Sequence, residues 1–96
     1  MTISPSTVAA VIEGKHNHLF EHPNSTTAQT LRVLHALVQG PQTTFDLRDN
    51  LNIPHPAGCI HQLRRFVRIK GRRVRVYVGD TYHDISEYRF VGVRDE

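Results

Sequence analysis

Apolar residues recur at helical spacing over residues 25–39 and again through residue 67, and the period shortens to two beyond residue 73. In STTAQTLRVLHALVQ, residues 25–39, Leu31, Leu34 and Val38 make an inner stripe with Leu37 beside it. Thr26 and Gln29 have the T-x-x-Q spacing of a capping box, and Gly40 followed by Pro41 is a strong stop. The spacing predicts a support helix, with His35 beside the stripe as a partly buried structural residue. Upstream, Ser4-Pro5 suits the start of a short helix carrying Val8, Ala9, Val11 and Ile12. GKHNHLFEHPN then reads as a polar arm or loop broken by Gly14 and Pro23.

Residues 43–66 predict two short helices joined by a tight turn. Thr43 is a good N-cap, with Asp46 three residues on. Leu47 and Leu51 share one helical face. Asn52 tolerates the left-handed conformation that ends many helices. Ile53 is the expected apolar plug in the turn. Pro54 and Pro56 cannot continue the first helix, whereas Pro56 fits the first turn of a second. There Ile60, Leu63 and Val67 follow the i, i+3, i+7 rule, with Cys59 at the apolar edge. At about 100° per residue, the opposite face carries Gly58, His61, Gln62 and Arg65, with His55 at the entry. Arg64 falls nearer the apolar edge, as a flanking residue.

Beyond this point Val74, Val76 and Val78 alternate with Arg73, Arg75 and Tyr77, the pattern of a half-buried strand. Ile69 and Gly71 are out of phase with that set, and Gly71 is read as a bulge or tight turn. GDTYHD, residues 79–84, is a turn-rich tip. SEYRFVGV, residues 86–93, alternates again, through Tyr88, Phe90 and Gly92 or through Arg89, Val91 and Val93. An antiparallel hairpin results, and two strands alone are marginal, so it is expected to pack on the helices. The predicted fold class is α+β: a winged helix-turn-helix, with a three-helix core followed by a β-hairpin wing. Residues 1–24 are an N-terminal arm or short helix, 25–93 the domain and 94–96 a tail.

Charge sharpens this picture. The net charge of +3 is modest, but Arg64, Arg65, Arg68, Lys70, Arg72, Arg73 and Arg75 put seven of twelve cations into residues 64–75, a segment without an acid. Concentrated charge of one sign beside a candidate recognition helix is an electrostatic footprint for nucleic acid, although a solvated strand face has the same composition. A polar-faced short helix is what a major groove admits. Gln62, Arg65, His61, Gly58 and His55 are therefore the candidate base readers, Gly58 as a place where backbone approaches a partner or simply as a tolerated glycine. Thr43, Thr44, Arg64, Arg68, Lys70, Arg72, Arg73 and Arg75 are the candidate phosphate contacts.

Other chemistry is not legible. There is no Gly-rich phosphate loop, G-x-S-x-G or H-E-x-x-H motif. Cys59 with His55 or His61 has the residue types of a nucleophile and base, but its position favours a small buried hydrophobe. His16, His18 and His22 lack an acidic or Cys partner at a recognised ligand spacing and read as a His-rich loop. No catalysis, metal or cofactor is expected. One Cys, no apolar run of membrane-spanning length and no signal-peptide pattern lead to a cytoplasmic expectation, without membrane association.

TTFDLRDNLNIPHPAGCIHQLRR resembles the small helix-turn-helix proteins of phages and prophages. Their helices carry a run like T-T-x-x-L-R-x-x-L-x-I-x-H-P-A-x-x-I-x-x-L-R. Leu47, Arg48, Leu51, Ile53, His55, Pro56, Ala57, Ile60, Leu63 and Arg64 match it, His55-Pro56-Ala57 being the most specific piece. RFVRIK stands where that group has G-Y-x-I. The resemblance implies binding of double-stranded DNA in a bacterial host cell, as a transcriptional regulator or excisionase-like factor. The alternative is a protein-interaction module that inhibits or recruits a host enzyme, such as a defence nuclease. Homodimers are common among helix-turn-helix proteins. The support helix and residues 1–24 are the candidate dimer surfaces.

Overall fold

A computed structural model describes residues 3–15 and 26–94. The first helix, α1 (Pro5–Ile12), is capped by Ser4, whose Oγ accepts from the Thr7 N–H at 3.2 Å, with Pro5 in the first turn. Ile3 and Val8 occupy the two positions of a hydrophobic staple. Both are buried together with Val11, whereas Ala9 is exposed. α1 packs against the support helix α2 (Thr26–Gln39), so its residues share one core with those beyond position 24.

α2 is the hub, because α1, the second helix of the turn and the sheet all pack on it. It therefore buries a wider band than the predicted stripe: Ala28, Thr30, Leu31, Val33, Leu34 and Leu37, with Val38 only half-buried. Thr26 is already helical, so it is not the cap of a Thr26–Gln29 box. Thr30 is fully buried, and its Oγ1 donates to the Thr26 carbonyl at 2.9 Å. Gln42 Nε2 donates to the Ala36 and Gly40 carbonyls, satisfying acceptors at the end of α2.

The short strand β1 (Gln42–Thr43) was not foreseen. It leads directly into the predicted capping box, which is reciprocal. The Asp46 N–H donates to Thr43 Oγ1 at 3.1 Å, and the Thr43 N–H donates to the Asp46 carboxylate at 2.9 Å. The helix that follows is π-wound over Asp46–Asn50, not α-helical as expected. With this winding the Ile53 N–H reaches back to the Leu47 carbonyl at 3.2 Å, and both side chains are fully buried. Asn52 ends the element at φ +56°, the left-handed conformation predicted for it.

α3 (Pro56–Leu63) buries Pro56, Cys59, Ile60 and Leu63, so the predicted helical phase holds. Val67 is fully buried as expected, but as the first residue of a strand, because the helix ends at Leu63 and turns through Arg64, Arg65 and Phe66.

β2 (Val67–Val78) and β3 (Thr81–Val93) form the hairpin, and the antiparallel sheet runs β1-β3-β2. Its irregularity falls between Arg68 and Ile69, whereas Gly71 sits in regular pairing with Tyr88. Paired residues share a face and successive residues alternate. Ile69, Phe90 and Tyr88 pack on the helical core from one face. Further out, buried Ile85 and half-buried Val74 and Val76 lie on the other face, where the His83 ring meets Phe45 at 5.9 Å. Strand twist allows a long two-stranded ribbon to change its packed face in this way. That change is why Ile69 and Gly71 looked out of phase. The expected six-residue tip is a two-residue turn, Gly79 at φ +60° followed by Asp80, as in type II′ hairpins. The fold is α+β with a three-stranded antiparallel sheet. Among the described residues, no helix is long and apolar enough to cross a membrane.

Candidate nucleic-acid interface

The face of α3 turned to solvent presents Ala57, Gly58, His61 and Gln62, with His55 before it and Arg65 just past its end. Within the described residues, the side chains of His55, His61, Gln62 and Arg65 have no hydrogen-bond or ionic partner. A Cβ built at Gly58 meets nothing within 4 Å. Among the described residues there is no packing reason for glycine there. Arg65 lies beyond the helix cap Arg64, where it lines a groove with Pro5, Val8, Phe66, Val93 and Arg94.

Cys59 points the other way. It is buried, and removal from water pushes its thiol pKa up, while a hydrogen bond with the Thr30 side chain opposes that shift. A neutral, inaccessible thiol is a packing residue and lacks the character of an activated nucleophile.

The predicted phosphate contacts divide into three groups. Thr43 and Thr44 are half-buried and engaged inside the fold. Thr43 forms the capping box, and Thr44 Oγ1 donates to the Ser86 carbonyl at 3.3 Å. The Thr43 hydroxyl thus holds the π-helix entrance and the Thr44 hydroxyl ties it to β3. Four arginines keep their exposure but are held. Arg64 donates to the Ile69 carbonyl at 3.3 Å, Arg72 pairs with Glu87 at 2.8 Å, Arg73 donates to the Asp84 carbonyl at 3.3 Å, and Arg75 pairs with the Asp84 carboxylate at 3.3 Å. Arg75 also lies 4.0 Å over the Tyr82 ring. Only Arg68 and Lys70 of this set are exposed and unpaired among the described residues. The acid-free segment is therefore partly neutralised from β3, although exposed pairs of this kind contribute only about 0.2–1 kcal/mol each and exchange readily for other anions.

Three features escaped the sequence reading. Arg89 faces Lys70 directly across the hairpin ladder. Asp84 and Glu87 supply the counter-charges just described. The hairpin tip exposes Tyr77, Val78 and Tyr82, at 68%, 56% and 51%, which is a larger apolar surface than alternation predicts. The alternation of β3 around Tyr88 and Arg89 was visible, but the pairing partner of each residue depends on register.

Among the described residues no group of three potential metal ligands converges, and His16, His18 and His22 lie outside those residues. Comparison with protein-family models, with curated proteins and with solved structures finds no match.

Proposed function

We propose that the protein binds double-stranded DNA as a winged helix-turn-helix module, acting as a regulator or excisionase-like factor of phage type. The order α1-α2-β1, π-helix, α3, β2-β3, with the sheet arranged β1-β3-β2, is compatible with that architecture. In this reading the π-helix is the first helix of the motif, and the left-handed Asn52 and the Ile53 plug form the turn. α3 is the recognition helix and the β2–β3 hairpin the wing.

The observation that carries the reading is the outer face of α3. It is polar, exposed and free of partners among the described residues, and the exposed, unpaired cations Arg65, Arg68 and Lys70 follow it in sequence, the last two on β2. Gln62 has the donor–acceptor pair that matches adenine, and Arg65 the fork that matches guanine. His55 and His61 offer one donor or acceptor at each ring nitrogen and rank behind them.

The test is selection of bound duplexes from a random pool, with affinity then measured against salt. The three free cations alone predict a slope of log K on log salt near about −3. Exchange of Glu87 and Asp84 for phosphates brings it toward about −5. A flat salt dependence, or no enrichment of any duplex, refutes DNA binding.

A second reading has its own support in the hairpin tip. Tyr77, Val78 and Tyr82 stand exposed beside Asp80 and Asp84, a combination better suited to a protein surface than to a phosphate backbone. A host enzyme engaged through that tip is the alternative, and it predicts tight protein binding that is insensitive to changes in α3.

A further inference from the structure

The hairpin contains a local electrostatic conflict. Lys70 and Arg89 are directly opposite in the β2–β3 register, two residues along the same face from the Arg72–Glu87 pair. Like charges directly opposite on a sheet face are destabilising. Glu87, the nearest acid in the ladder, is engaged by Arg72, and neither Lys70 nor Arg89 has a partner among the described residues. These side chains project from the face opposite to Ile69, Tyr88 and Phe90, which pack on the core, and at this end of the hairpin that face is exposed. A groove runs there, lined by Pro41, Lys70, Gly71, Arg72, Glu87 and Arg89.

We propose that this groove is a phosphate-binding site, in which one phosphate group bridges Lys70 and Arg89 and draws on Arg72. The anion relieves the repulsion between the two opposed cations, and the arginine fork and the lysine ammonium supply charge-assisted donors from both strands. Pro41 and the backbone at Gly71 add no charge of their own, and the Glu87 carboxylate in the same groove is paired with Arg72. The groove is lined by β2, β3 and Pro41, and none of its lining residues belongs to α3. The site stands on its own geometry, whether or not α3 reads bases. A nucleic-acid backbone and a small phosphorylated molecule present the same chemistry.

The experiment follows the backbone amides of the whole chain by NMR in two titrations, with inorganic pyrophosphate and with a mixed-sequence 16-base-pair duplex. Unmodified protein is compared with Arg89→Glu, Lys70→Ala and, as a control, Arg48→Ala at another exposed site. The expected result is saturable pyrophosphate shifts centred on residues 70–72 and 87–89. These weaken about tenfold or more in Arg89→Glu and Lys70→Ala, as loss of one charge-assisted hydrogen bond implies, and are unchanged in Arg48→Ala. Arg89→Glu also converts the repulsive pair into an attractive one, so its Tm at low salt should rise by about 1–5 °C in the absence of ligand. Opposite signs for binding and stability in one variant support a ligand site over a purely structural role. If the duplex protects the same amides, the natural source is a nucleic-acid backbone. If only pyrophosphate does, the site is upheld with a small phosphorylated ligand as its source. Shifts spread over all cations without saturation, or a variant that loses stability and keeps pyrophosphate binding, overturn the proposal. Loss of duplex binding by α3 variants with pyrophosphate binding intact leaves this site standing and bears only on the DNA-reading role.

Discussion

α3 and the β2–β3 hairpin are joined by three residues and both present polar faces, yet the two faces are in opposite electrostatic states. On α3 the outward side chains of His61 and Gln62 have no partner in the described fold, and Gly58 opens onto empty space. On the hairpin the Arg-rich strand is largely engaged with its neighbour, through Arg72–Glu87, Arg75–Asp84 and the Arg73 bond to the Asp84 carbonyl. A helix ladder satisfies its own backbone and leaves outward side chains free. A hairpin sets each side chain opposite another, so a charge there can meet its complement at home, as Arg72 and Arg75 do and Lys70 does not. Density of positive charge in a sequence therefore overstates the charge that is free to meet a ligand.

The contrast rests first on the helical phase of α3. Leu63 is fully buried, so Leu63→Ala should cost about 2–5 kcal/mol in a thermal or urea unfolding experiment. An unchanged midpoint would mean that the outward face has been wrongly assigned.

The next effect separates reading from holding, under the DNA-binding proposal. Gln62→Ala or Arg65→Ala should flatten base preference at one or two positions of a selected site, with about 1–3 kcal/mol of discrimination lost per contact. Arg68→Ala should weaken all sequences alike and reduce the salt slope by about one unit. A selection profile for each variant decides the matter. If Arg68→Ala changed the motif while Gln62→Ala lowered affinity uniformly, the roles of helix and hairpin would be exchanged.

Gly58 tests the free face from the backbone side. With nothing within 4 Å of an added Cβ, Gly58→Ala should stabilise the fold by about 0.5–1 kcal/mol through helix propensity. The same variant should lose DNA affinity if a duplex approaches the α3 backbone closely. Improved stability with full affinity would reduce Gly58 to a tolerated residue.

The smallest effect concerns the engaged charges. Asp84→Asn should release Arg75 at a stability cost of at most about 1 kcal/mol, since the pair is exposed. It should steepen the salt slope of duplex binding by up to about one unit. A slope that did not move would indicate that Arg75 stays over the Tyr82 ring and that the outer hairpin keeps away from the phosphates.

What the sequence determined by itself is what its near neighbours decide. The Ser4 cap, the reciprocal Thr43–Asp46 box, the left-handed Asn52, the buried set Ile60 and Leu63, and the outward set Gly58, His61 and Gln62 all depend on residues within about one helical turn. They were legible for that reason. So was the switch to alternation that announces the hairpin. Tertiary structure alone decided the π winding of Asp46–Asn50, the strand at Gln42–Thr43 and the breadth of the α2 core face, because each answers to elements packed from outside. It also decided which cations are free. Arg72 and Arg75 find acids 15 and 9 residues away, and Lys70 meets Arg89. Those pairings lie on the ladder that the two-residue turn at Gly79 and Asp80 sets, and a single-residue slip would reassign every one of them.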